Sequence, residues 1–503
     1  MTRLATPRRR REDSAQATEL AETPLRVLRN RRFLALWLAQ VATQVGTNMV
    51  LFGLTVQIFT LTRQSTSISL LILSFLVPAV IFGAIAGVYV DRHDRRMLLV
   101  LTNALRGLLF VGLVFFDQQV ALIYLFTIGI STLTTFFGPA EAAMIPVIVD
   151  RRQLLAANSM YVFTLQASFF VGFAILGPLV INLYDLSVLL WITAGLFFLA
   201  AALCWTLPPY SPRLGAHRPG QALTEAGSAV ATTFGQLRDG LAFIVQHRNV
   251  FWPLTYLAIT ASLIGVLGVL GPGFATQVLG LTERDFVIVV LPLGAGLVMG
   301  ILLLNAYGRY IPRRRGVEGG LIALGITLAA LSVAQPVTTA LTQGAISLLS
   351  VVVVVAFLAG VGYAFVAVPA QTQLQEELPP EIRGRVFGVL NMLISIASFL
   401  PIIAVGPIAD VVGTSPVVFA SAMLVLVAAA GSLAWARPAH PAAGSPAGLV
   451  EPVDPVGITS RSLMQTIRLR YIDDDNDGTG GLSYLSSPVV PGRAGPAREQ
   501  PEQ

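Results

Sequence analysis

Gly87-Val88-Tyr89-Val90-Asp91-Arg92-His93-Asp94-Arg95-Arg96 is a charged decapeptide at the junction of two apolar stretches, 68–90 and 97–116. Each stretch reaches the roughly 20 residues that a helix needs to cross about 30 Å of hydrocarbon. A short charged loop between two such stretches belongs to a chain that enters the membrane more than once. The same window moved outward finds twelve candidate spans: 33–59, 68–90, 97–116, 120–149, 154–183 and 186–207, then 251–275, 286–307, 318–336, 345–371, 386–409 and 416–436. Their edges carry an error of about 2–4 residues. The thinnest cuts fall at Asp117 and Asp185, where one short polar break separates two spans.

Composition agrees with a bilayer as the solvent. Hydrophobic residues make up 54% of the 503-residue chain and charged residues 12%, and the mean hydropathy is +0.73, too apolar for a soluble protein of this length. All 33 basic residues are Arg, a codon bias and not a functional signal. The lone Cys204 rules out an intrachain disulfide and a Cys-based metal cluster, and reads as a small packing residue.

Arginine placement tests the span count. With a cytoplasmic N-terminus, thirty of the 33 Arg fall in the two tails and the inner loops, Arg63 and Arg284 fall in outer loops, and Arg106 lies inside a span. Positive-inside sorting predicts this asymmetry, and a miscount of one span would scramble it. Both termini are therefore expected in the cytoplasm. Residues 1–32 read as a mostly disordered Arg-rich tail whose Arg8–Arg11 cluster sets topology and can touch anionic lipid. Asn30-Arg31-Arg32-Phe33-Leu34 superficially suggests a twin-arginine export signal, but the long apolar run behind it points to an uncleaved first helix.

Residues 33–207 and 251–436 form two groups of six spans. The cytoplasmic linker between them, 208–250, opens on Pro208-Pro209. It ends in a stretch where Phe234, Leu237, Leu241 and Ile244 or Val245 recur at helical spacing, an amphipathic helix at the inner interface. Residues 437–503, rich in Pro, Gly, Ser and Ala, read as a disordered cytoplasmic tail. Its run Asp473–Gly478 matches the first half of a calcium-binding loop, but Tyr484 stands where the bidentate Glu is required. The two groups echo each other: Pro139-Ala140-Glu141 matches Pro369-Ala370-Gln371, and Gly308-Arg309 through Arg313-Arg314-Arg315 is a degraded copy of the decapeptide. Two related halves place a substrate path at their interface near the midplane.

The decapeptide, in the short loop after the second span, resembles the signature loop of the major facilitator superfamily of secondary transporters. Phe33-Leu-Ala-Leu-Trp37-Leu-Ala-Gln40, Leu155-Ala-Ala-Asn158, Gln236-Leu-Arg238-Asp-Gly-Leu-Ala-Phe243 and Leu378-Pro379-Pro-Glu381-Ile-Arg383-Gly384-Arg385-Val-Phe387-Gly388 narrow the likeness. In this order they resemble the drug-efflux branch that includes macrolide exporters and the enterobactin exporter. The resemblance covers roughly 30–436. It implies an all-α membrane protein of twelve transmembrane helices in two pseudo-symmetric six-helix bundles, the major facilitator fold, in the bacterial inner (plasma) membrane. One departure matters: relatives often carry an Asp soon after a Gly in span one, and here Gly46 precedes Thr47 and Asn48. Span one therefore offers no carboxyl for proton coupling.

By the same resemblance, Gly87, Asp91, Arg92, Arg95 and Arg96 form an inner gate with Glu381 and Arg383. Asp91 would lie near the inner N-terminus of span eleven, where the helix dipole favours an anion, and the arginines would pair with acids such as Glu381. A topology-anchor role would explain the arginines but not the Gly and Asp positions. Gln40, Gln44 and Asn48 recur every four residues and line one face of span one. Amides facing lipid are costly, so the stripe either contacts substrate or bonds to a neighbouring helix. Gln166 and Asn305 are weaker substrate-binding candidates of the same kind. Arg106 and Glu141 sit at one depth, each about 14 Å from the inner surface at 1.5 Å per residue. They form either a static ion pair or a coupling site in which Glu141 carries a proton.

These readings converge on a carrier that exports an amphipathic small molecule by alternating access, with protons and lipid as its other partners, acting as a monomer. An uptake carrier of the same fold and a non-transporting sensor or scaffold are the alternatives. Neither cofactor, metal nor nucleic acid is expected, and a chain without Lys cannot carry the Gly-rich Lys motif of ATP-driven pumps. His93, His217, His247 and His440 fall in inner loops or the tail, so no enzymatic cluster is expected at one depth. Topology reporters check the orientation: a fusion after Arg437 should report cytoplasm, and insertions beside Arg63 and Arg284 should report the exterior. Termini on opposite faces would eliminate the twelve-span reading.

Overall fold

The computed structural model describes residues 24–150, 153–210, 248–334, 348–377 and 383–435. The Arg8–Arg11 cluster, the amphipathic segment from Phe234, Glu381 and the tail containing Asp473–Gly478 lie outside the described residues. Twelve long helices follow one another: α1 (Arg31–Thr62), α2 (Ser65–Arg92), α3 (Arg95–Phe115), α4 (Val120–Ile148), α5 (154–183) and α6 (Leu186–Trp205), then α7 (Arg248–Gln277), α8 (Val287–Tyr307), α9 (Arg313–Ser332), α10 (Leu348–Glu377), α11 (Arg383–Val412) and α12 (Thr414–Trp435). Eleven have the length and apolarity of a membrane span, and α11 has an apolar stretch at Ser398–Val412. The turns at Arg63 and at Arg95 define two opposite faces of the molecule.

Local chemistry sets the boundaries. Both thin cuts become helix ends. Asp185 caps α6, its Oδ1 accepting the Val188 N–H at 2.8 Å, and Asp117 lies in the turn that closes α3, where its carbonyl accepts from Gln57 at 3.1 Å. Asp94 caps α3 through Met97 N–H. At the start of the chain the order extends further than the tail reading allows. Pro24–Arg29 forms a 3-10 turn, Val27 is buried, and the Asn30 amide bonds Ile148 O at 2.6 Å while its Oδ1 caps α1. Val27 joins Phe33, Leu36 and Ile148 in one apolar cluster, and that burial holds residues 24–30 against the first half.

The two sets of six helices use the same packing partners. In the first, α3 packs on α6 and α4, α2 on α4, and α1 on α5 and α6; in the second, α9 packs on α12 and α10, α8 on α10, and α7 on α11 and α12. Every one of these pairings recurs six helices later, the structural counterpart of the sequence echo. The halves meet chiefly through α2 with α11, and to a smaller extent through α5 with α8, α1 with α7 and α2 with α7. On the Arg63 face Phe52 of α1 stacks on Phe286 at 4.8 Å and meets Phe173 of α5 edge-on at 5.6 Å.

Between α8 and α10 the backbones nearly touch. A Cβ on Gly296 would collide with the Phe357 carbonyl, and one on Gly360 with the Leu293 carbonyl. Small residues at such crossings let dispersion replace the hydrophobic driving force that lipid abolishes. A Cβ on Gly195, in contrast, would meet no atom within 4 Å. We expect Gly296→Val to lower stability by about 1–3 kcal/mol, the usual range for overpacking, and Gly195→Val to be near neutral. Thermal unfolding in detergent micelles checks the difference.

Candidate functional site

The decapeptide forms the end of α2 and the start of α3. Gly87 and Asp91 belong to the last turns of α2, Arg92 ends it, and Arg95 and Arg96 open α3. Arg95 donates to Ala143 O at the end of α4 at 2.9 Å, and its own N–H bonds Tyr210 O at 3.2 Å. Its guanidinium lies over the Tyr210 ring at 4.9 Å, and that of Arg96 over the Trp205 ring at 4.7 Å. Two of the predicted gate arginines thus clamp the end of α6 and the chain beyond it onto α3. Trp205 and Tyr210 were not singled out from the sequence; their signal is an aromatic pair flanking Pro208-Pro209. Arg383 is the first residue of α11.

On α1, Gln40 is fully buried and donates to Tyr161 O of α5 at 3.3 Å. Trp37 donates to Thr164 on the same face at 2.8 Å. Asn48 donates back to Gln44 O at 2.8 Å, and its Cβ abuts Gly172 of α5. The amide stripe therefore follows the α1–α5 seam, and for Gln40 the interhelical bond is the observed role. Gln166 lies on α5, while Asn305 is exposed near the end of α8. The structure does not bring Asn305 to the stripe.

Arg106 and Glu141 are both buried in the first half, but no salt bridge joins them. The Arg106 guanidinium donates to Asn103 Oδ1 at 2.5 Å, to Thr134 Oγ1 at 3.3 Å and to Thr102 O at 3.3 Å. Phe137 and Phe197 sandwich it at 4.4 and 4.7 Å. Planar charge between two aromatic faces is a favourable, water-poor arrangement for Arg. Glu141 Oε2 accepts from the half-buried Tyr161 hydroxyl at 3.1 Å, while Oε1 is buried without a hydrogen-bond partner. The two charges are near enough to feel each other. Sequence reasoning found the charged pair and missed its holders. Asn103 could have been found, three residues before Arg106 on the same helical face; Tyr161 carries no such local signal.

The second half buries a carboxylate too, but Glu318 of α9 is paired with Arg314 at 2.7 Å. Between α7, α8, α9, α10 and α12 lie two adjoining cavities of about 50 and 60 Å³ that share Leu263, Leu267, Val289, Leu328 and Leu331. Apolar voids of this size stay dry, and neither could hold a drug-sized molecule, which needs about 300–1,000 Å³. At this size they are gaps in packing.

Twelve helices in two like-paired sets, with a guanidinium and a carboxyl buried deep in the first, define a membrane carrier. Residues 36–402 match the model of the Major Facilitator Superfamily, and the chain belongs to that superfamily of transporters. Macrolide efflux protein A of Streptococcus pyogenes is 22% identical over 391 residues, covering 76% of this chain and 91% of the relative. Multidrug efflux pump Tap of Mycolicibacterium fortuitum is 27% identical over 352 residues, covering 67% and 79%. The uncharacterized MFS-type transporter YfiS of Bacillus subtilis (strain 168) is 26% identical over 400 residues, covering 78% and 90%. Among solved structures, the POT family transporter PepTSo superposes with a TM-score of 0.59 at 13% identity, covering 81% of this chain and 98% of that one. The chain is therefore a multi-pass membrane transporter of bacterial type, and its substrate is a small molecule. For the buried arginine, Arg106→Lys keeps the charge but loses the planar fork; it should cost about 2–4 kcal/mol of stability. Arg96→Lys, at a less enclosed ring contact, should cost under about 1 kcal/mol. Chemical unfolding in micelles compares the two.

Proposed function

We propose that this chain is a monomeric efflux carrier of the bacterial inner membrane, with both termini in the cytoplasm. It exports a sizeable amphipathic small molecule, such as a macrolide, another drug or a siderophore, by alternating access in exchange for protons. Efflux is supported by the relatives: both macrolide efflux protein A and Tap are described as exporters. The observation that carries the proton step is Glu141. Among the described residues it alone combines a carboxyl deep in a span, an oxygen with no hydrogen-bond partner and no cation within ion-pair distance. Taking up a proton removes its buried charge and releasing the proton restores it, without breaking a salt bridge. Tyr161, less buried and bonded to Oε2, links that carboxyl to the α1–α5 seam where Gln40, Gln44 and Asn48 lie. Substrate at this seam and proton on Glu141 would then compete through a shared set of side chains. On the inner side, Gly87, Asp91 and Arg92 act with Glu381 and Arg383 as the gate, while Arg95 and Arg96 hold the α6 end in place for it.

Glu141→Gln keeps the shape but cannot titrate. In inverted vesicles with an imposed pH gradient, it should abolish gradient-driven transport of a fluorescent macrolide while leaving binding and energy-independent exchange. Its abundance should stay near wild type, because no ion pair is broken. Gradient-driven flux at the wild-type level would remove Glu141 from the proton path.

A further inference from the structure

The turn between α1 and α2 is held from both sides by carboxylates of the second half. On one side Glu283, just before α8, accepts the Thr60 hydroxyl at 2.9 Å and an Arg63 N–H at 3.1 Å. On the other, Asp410 near the end of α11 accepts the backbone N–H groups of Ser65 at 2.7 Å and Thr66 at 2.9 Å, and the Thr66 hydroxyl at 2.5 Å. Gln64, the residue in the N-cap position of α2, makes no side-chain cap bond. The first turn of α2 is therefore capped in trans, by a residue more than three hundred positions away in the other half. A carboxylate there satisfies two of the helix's orphan donors and meets the positive end of its dipole.

The helix faces around Asp410 are built for close contact. Ile402, Gly406 and Asp410 recur every four residues on α11. The Ile402 carbonyl accepts from Ser69 Oγ at 2.7 Å, and a Cβ on Gly406 would meet Ser69 Oγ and lie 2.7 Å from Ser65 O. One stripe on α11 thus fits against Ser65 and Ser69 of α2 with no room for a side chain between them. Arg284, beside Glu283, reaches Ile181 O of α5 at 3.2 Å. Both arginines that break the positive-inside pattern are engaged across the two halves on this face.

We propose that the α1–α2 turn is the catch of the outer gate, and that Asp410 is the positioning residue that holds it shut by capping α2 from the opposite half. The proposal rests on the alternating-access reading. A contact made in only one of two states sets their relative populations. When α11 leaves α2, the first turn of α2 loses its cap and Glu283 loses both Thr60 and Arg63, so the resting carrier is closed on this face and opening must be driven.

Pulsed spin-label distances test this in the full-length protein in nanodiscs. Labels at Gln118→Cys, in the α3–α4 turn, and Val333→Cys, at the end of α9, occupy exposed positions on the Arg63 face in different halves. The buried Cys204 stays in place. Asp410→Asn should add a longer-distance population, raising the open-to-closed ratio by roughly tenfold, as expected from weakening hydrogen bonds to a charged group. Glu283→Gln and Gly406→Ala should shift the same ratio in the same direction through separate contacts, and Asp410→Glu should restore the closed distance. A structural role alone would lower the folded yield without changing the ratio. If wild type gains the long distance on adding a macrolide probe but all three variants match apo wild type, the catch is overturned and alternating access survives. One unchanging distance in every protein, with and without the probe, would overturn both.

Discussion

Hydrocarbon offers no hydrogen bonds, so each backbone and side-chain polar group inside the membrane must find its partner within the protein. This constraint makes every span helical and also decides what its polar residues do. Thr47, Thr55, Thr102 and Thr127 all return their hydroxyls to carbonyls one turn back. They are absorbed by their own helices and add no polarity to the contacts. The side chains that bond between helices are then few, and they concentrate at the α1–α5 seam, around Arg106 and on the Arg63 face.

The fold was largely legible because span length, Arg placement and the repeat between halves are independent signals with one answer. Asp117 and Asp185 show how a weak cut can still be right: one polar residue able to stop or cap a helix is sufficient punctuation. The start of the chain was less legible. Nothing periodic marks residues 24–30, and only the fold brings Ile148 within reach of Asn30. At the site, Arg106 and Glu141 stood out because ionisable residues inside spans are rare, whereas their partners on other helices could not. Tyr161 and Thr134 lie on other helices, and pairing across helices depends on rotation about the axis that a hydropathy window does not contain. The same limit hid Asp410, which reads as an ordinary polar end to an apolar segment until α11 is laid against α2.

The halves share a packing plan but not a chemistry. In the first, the space between α3, α4 and α6 holds a guanidinium wedged between phenyl rings, with a carboxyl nearby. In the second, Leu324, Leu328 and Leu331 line small dry gaps in the comparable place, and Gln371 takes the position of Glu141 in the repeat. One half therefore buries a guanidinium and a carboxyl that form no salt bridge, whereas in its partner the buried Glu318 is paired with Arg314.

Helix α5 is not α-helical throughout: Phe170–Leu176 winds as a π-helix, closed by the Gly177 N–H bonding Gly172 O. A π turn accommodates an extra residue, which delays the rotation of everything after it. Before the turn, Tyr161, Thr164 and Ser168 follow α-helical spacing, and continuing that rhythm past Gly172 would bring Ile175 and Leu179 against α1. Instead Gly177 and Ile181 are buried there, against Phe52 and Gly53, while Ile175 and Leu179 are exposed. The surplus residue acts as a phase shifter within a single helix. It lets α5 offer polar groups to α1 at one depth and, further along, a glycine and a branched side chain to the same neighbour.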